Sequence, residues 1–150
     1  MSFTFFTDRD LGRQFPQMLR DAGIPVEEHA AHFAHDAPDD QWLASVGARG
    51  WYVISHNRRI RYTPNERDAV FRARVGVFFA IGKGPFVTLA TNFVNTIRRV
   101  ERFIEAHPRP LWARHHPALG VPAETGTRLT ICLPLRPTRP AVQVSRFAKA

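Results

Sequence analysis

Apolar residues follow two rhythms along this chain: short unbroken runs, and one-sided repeats at helical spacing. Phe3-Thr4-Phe5-Phe6 is a β-prone run that stops at the charge of Asp8, so it reads as a strand buried on both faces. Leu11, Phe15, Met18, Leu19 and Ala22 then fall on one helical face, with Asp10 expected as the cap and Gly23 as the stop. Pro16 lies near the start of that helix, where proline costs least. Ile24-Pro25-Val26 predicts a short strand at a sheet edge, because proline cannot donate to a ladder. His29 to Pro38 predicts a loop. Asp39 and Asp40 open a second helix with Trp42, Leu43 and Val46 inward, and Gly47 and Gly50 mark its end.

Trp51-Tyr52-Val53-Ile54-Ser55 is the clearest strand. Thr63-Pro64-Asn65-Glu66 combines a cap, a proline at the first helical position and a glutamate three residues after the cap, and predicts a helix to about Arg74. Val75 to Ile81 predicts a fourth strand, and Phe86 to Ala106 the longest helix. Strand alternating with helix signifies an α/β fold: a three-layer sandwich around a central, mostly parallel sheet. Right-handed crossovers restrict the topology, and the expected strand order is 2-1-3-4. The loops after strands one and three then flank the crevice where open α/β sheets bind ligands.

Past His107 the pattern breaks down. Seven of the twelve prolines lie there, and Arg128 to Leu135 is expected as one more strand added to a sheet edge. The chain therefore divides into a domain over 1–115 and a Pro/Arg-rich basic extension over 116–150. A homodimer paired through Leu129 to Leu135 is a further expectation.

Composition changes the picture only in part. The net charge of +8 favours a polyanionic partner, nucleic acid first. Yet from His107 onward seven Lys or Arg face one acid, Glu124, so residues 107–150 carry +6 of that charge. The single cysteine, Cys132, excludes an internal disulfide and a cysteine-rich zinc site, and reads as a buried small hydrophobe. No apolar run approaches the roughly 20 residues of a membrane helix. The N-terminus lacks the basic start of a secretory signal. No membrane association and a cytoplasmic location are expected.

Candidate chemistry gathers at comparable places: Asp8 after strand one, Asp39 at the start of helix two, Asn57 after strand three. Carboxylates brought to one edge would bind Mg²⁺ or Mn²⁺ through oxygen, and the ion would ready a water for attack on a phosphodiester. Arg9, Arg58, Arg59 and Arg61 lie beside the site in sequence and suit RNA phosphates. Each residue also has a plainer reading. Asp39 and Asp40 suit a helix N-terminus, Glu66 a capping box, and Asn57 a turn. His29, His32 and His35 with Asp36 raise a transition-metal site, against which stands a solvated loop. His56 is either a proton carrier or an exposed loop histidine. Gly82-Lys83-Gly84 is not a phosphate loop, since the glycine spacing and the following Ser or Thr are missing.

The pieces FTDRDL, APDDQWLA and WYVISHNRRIR, followed by a Pro and Glu helix start, resemble in order and spacing the compact PIN-like domains related to VapC-type toxins. The likeness covers residues 3 to 115 and leaves the extension uncovered. It implies a metal-dependent endoribonuclease, the toxin of a type II toxin–antitoxin system, neutralised by a cognate antitoxin protein. Asp8 matches the family's first acid and Asp39 the acid opening the second helix, with Asp40 beside it. Ser55 matches the hydroxyl position two before the third acid. Asn57 holds the third acid's place without its charge, so either Asn57 or Glu66 completes the metal shell. The departure at Asn57 motivates the alternative: a catalytically weak or inactive PIN-like module that binds RNA or a protein.

Overall fold

The computed structural model describes residues 3–56, 64–82, 84–116 and 128–131. Among them, six strands form one sheet in the order β2-β1-β3-β4-β5-β6. They are β1 (Phe5–Thr7), β2 (Val26–Glu28), β3 (Tyr52–Ser55), β4 (Gly76–Ala80), β5 (Leu111–His116) and β6 (Arg128–Ile131). The first five are mutually parallel, and β6 runs antiparallel to β5. The expected order 2-1-3-4 is therefore the observed one, extended by two strands. The helices are α1 (Gln14–Asp21), α2 (His29–His32), α3 (Asp39–Ala48), α4 (Pro64–Ala73), α5 (Phe86–Asn95) and α6 (Ile97–Ala106), with a short 3-10 turn at Arg9–Leu11.

Parallel strands are covered on both faces, and the two-residue alternation splits each strand between two cores. Phe5, Tyr52, Ile54, Phe78, Leu111 and Ala113 pack with Phe15 and Leu19 of α1, Phe93 of α5 and Val100 of α6. Phe6, Val53, Val77, Phe79 and Trp112 pack on the other face with Trp42, Leu43 and Val46 of α3 and with Val70 of α4. These side chains lie almost wholly out of water. Each such burial is worth roughly 1.5–3 kcal/mol, so the two cores rather than any surface pair hold the layers together.

Several elements depart from expectation for local reasons. Asp10 does not cap α1: Gly12, at φ 70°, separates the 3-10 turn from the helix, and Asp8 caps the turn instead. The long helix expected over 86–106 is broken at Thr96. That buried hydroxyl donates back to the Asn92 carbonyl at 2.7 Å and also meets His115 Nε2 at 2.9 Å. A mid-helix threonine bonding its own i−4 carbonyl bends the rod, and a tertiary partner holds it there. Gly47 does not end α3 but lies within it, where a Cβ would collide with the Ala73 carbonyl of α4. The stretch read as a solvated loop opens with the short helix α2 and buries His29. β5 had no strand signal, because His115 and Arg114 interrupt its apolar residues.

Candidate functional site

The carboxyl end of β1 delivers Asp8 to the rim between β1 and β3. Asp8 is buried, and each carboxylate oxygen has a partner: Oδ1 accepts the Arg9 N–H at 2.7 Å and Oδ2 accepts the Ser55 hydroxyl at 3.1 Å. Ser55 is the last residue of β3, and the Asp8 N–H bonds the Ile54 carbonyl at 3.0 Å, which ties the two strand ends together. Burial raises the Asp8 pKa and outweighs those hydrogen bonds, with the nearby Asp39 charge pushing the same way.

Asp39, in the first turn of α3, comes to this same rim. Its Oδ1 accepts the Trp42 indole N–H at 2.9 Å and an Arg9 guanidinium nitrogen at 3.0 Å. No side-chain cap bond marks the N-terminus of α3. That carboxylate oxygen is therefore spent on the Trp42 indole one turn along the same helix and on Arg9, and not on capping. Arg9 is turned inward: besides Asp39 it donates to the His35 carbonyl and, at 3.3 Å, to the Ala37 carbonyl. It thus pins the segment before α3 against the end of β1.

Asp10 is the residue that sequence reasoning passed over. Its Oδ2 accepts the His56 N–H at 3.1 Å, one residue beyond β3. Its Oδ1 is buried and has no hydrogen-bond partner among the described residues. Burial, and next the neighbouring Asp8 charge, push the Asp10 carboxyl up to about 7. The signal in the sequence was the second acid of Thr7-Asp8-Arg9-Asp10, which the helix-cap reading absorbed. His56 donates from Nδ1 to the Ala80 carbonyl at 2.8 Å.

The family model described as PIN like domain matches residues 3–82. The chain belongs to the PIN-like domain family. It is 33% identical over 78 residues to the protein named "Putative ribonuclease VapC45" of Mycobacterium tuberculosis strain H37Rv, across 49% of this chain and 56% of the relative. The chain spans about half the length of the curated relative it matches. No solved structure matches the chain.

In this PIN-like domain the site positions are thus distributed. Asp8, Asp39 and Ser55 meet at one rim of the sheet. Asp40 does not join them: it is exposed, accepts the Gln41 N–H at 3.0 Å and lines a separate groove with Arg72 and Arg109. Asn57, Arg58, Arg59 and Arg61 lie outside the described residues. Glu66 falls in the first turn of α4, and its side chain is likewise outside them. The three histidines go separate ways. His29 sits in the core against Phe6, Phe33 and Trp42, with burial lowering its pKa; His32 meets Glu27 at 2.8 Å; His35 is exposed.

Among the described residues no group of three or more His, Cys, Asp or Glu side chains stands ready to hold a metal ion. The donors that are present nonetheless suit a hard divalent cation. They are carboxylate oxygens, the Asp8 charge helps to raise the Asp10 pKa, and Asp10 Oδ1 lacks a partner among the described residues. No helix among the described residues is long and apolar enough to cross a membrane.

Proposed function

We propose that this PIN-like domain is a Mg²⁺- or Mn²⁺-dependent endoribonuclease, the toxin of a type II pair whose cognate antitoxin is a separate protein. The observation that carries the reading is the meeting of Asp8, Asp39 and Ser55 at the carboxyl rim of the parallel sheet. Carboxylates crowded and buried in that way are what a cation-dependent phosphodiester site requires, and a costly arrangement for a purely structural rim. The ribonuclease name of the Mycobacterium relative supports it.

In this reading Asp8 and Asp39 hold the ion, with Asn57 or Glu66 completing its shell. The Ser55 hydroxyl fixes the rotation of the Asp8 carboxylate. When bound, the ion supplies the positive charge that readies a water and steadies the charge developing on the phosphate. Arg58, Arg59 and Arg61 hold RNA phosphates, and Arg9 joins them once its guanidinium leaves Asp39. Asp8→Asn keeps the shape and removes the charge. It should abolish Mg²⁺- or Mn²⁺-dependent cleavage of a mixed RNA pool by the purified chain; undiminished cleavage by that variant would end the proposal.

The neutral Asn57 favours a second reading, a PIN-like module that binds RNA or protein without cutting. Cleavage acquired only in Asn57→Asp would establish it, and robust wild-type cleavage would remove it.

A further inference from the structure

We infer that Asp10 is a ligand of the divalent cation beside Asp8, and that it brings the negative charge which Asn57 does not. The inference rests on the proposed cation dependence of this rim and names the group that completes it.

Three observations converge. First, Asp10 Oδ1 is a buried acceptor without a hydrogen-bond partner among the described residues. Such oxygens are rare in folded proteins and call for a partner, and for a carboxylate the strongest partner is a cation. Second, Asp10 and Asp8 flank Arg9 at the start of one 3-10 turn, which Asp8 caps. Third, the His56 N–H holds Asp10 Oδ2 at 3.1 Å. That bond places the carboxylate against the residue immediately before Asn57. A charge carried by the turn after β1 therefore reaches the residue that follows β3. Asp39 is less available, because its Oδ1 already accepts from both Arg9 and Trp42.

The competing role is a brace: Asp10 merely ties the 3-10 turn to the end of β3. Asp10→Asn separates the two. Its amide oxygen still accepts from the His56 N–H, so a brace survives, while the ligand charge is gone. Binding of Mn²⁺ to the full chain would be followed by calorimetry and by the electron paramagnetic resonance of free Mn²⁺. Asp10→Asn should weaken binding by about tenfold or more, on the order that a lost group costs a metal site. Asp21→Asn, an exposed acid at the end of α1, should leave it unchanged. Asp10→Asn/Asn57→Asp should regain part of the affinity, since the charge returns at the residue that follows His56 in sequence. A melt in chelator checks that the variants fold. Equal Mn²⁺ affinity in wild type and a folded Asp10→Asn would overturn the assignment and leave the nuclease reading intact. Mn²⁺ binding that depends on Asp10, in a chain that cuts no RNA, would sink the nuclease reading and uphold the assignment.

Discussion

Burial opposes the negative charge that water would give Asp8 and Asp10. Burial raises both pKa values, Asp10 to about 7, so between the unfolded value near 4 and that point the folded chain binds more protons than the unfolded one. The Asp10 contribution to stability is complete below about pH 4 and is lost as pH rises through about 7, and Asp8 acts in the same direction. The metal-free protein should therefore melt at a lower temperature at pH 8 than at pH 5. Asp10→Asn should flatten that dependence and raise the pH 8 melting temperature, as measured by thermal denaturation in chelator. A variant less stable than wild type at pH 8 would contradict the burial argument. Such a gain on removing a functional charge is the usual trade between a strained site and the fold that carries it. The same scale explains why Asp10 escaped sequence reasoning. An acid just before an apolar helical repeat looks like a cap, and only the positive φ of Gly12 takes it out of that role.

At the scale of elements, the rim depends on α3 standing where Asp39 can reach Arg9. The helix packs against α4 through Gly47, whose absent side chain lets the Ala73 carbonyl come close. Gly47→Ala would push the two helices apart, and should cost about 1–3 kcal/mol by denaturant unfolding, the range of overpacked sites. A neutral outcome would mean that α4 gives way freely. Within the sequence Gly47 looked like a helix terminator, since a glycine required by a close neighbour and one required by a turn are indistinguishable in one dimension. The break at Thr96 was hidden for a similar reason. Leu89, Phe93, Val100 and Ile104 keep helical spacing across it, and the partner that stabilises the break, His115, is on β5. β5 itself carries polar residues whose acceptability depends on such partners.

For the whole molecule, charge and fold are separate matters. Residues 1–106 carry only +2 of the net +8, and the rest of the excess positive charge follows His107. Removing residues 132–150 takes away Arg136, Arg139, Arg146 and Lys149 and leaves β6 paired to β5. If these four cations meet RNA phosphates, the slope of log affinity against log salt for single-stranded RNA should become shallower by up to about 3. Filter binding across a salt series measures it, and an unchanged slope would place the extension off the RNA. Among the described residues β6 also occupies the sheet edge.

The alternation of apolar runs with helical repeats determined the α/β class, the strand order through β4 and the landing of Asp8 at a strand end. Those features follow from local periodicity and from the handedness of crossovers, which one dimension encodes. The tertiary structure alone decided that Arg9 turns onto Asp39, that His29 is core, and that Asp10 reaches the end of β3. Each of these depends on which distant group a side chain meets, and on how much water is left around it when they meet.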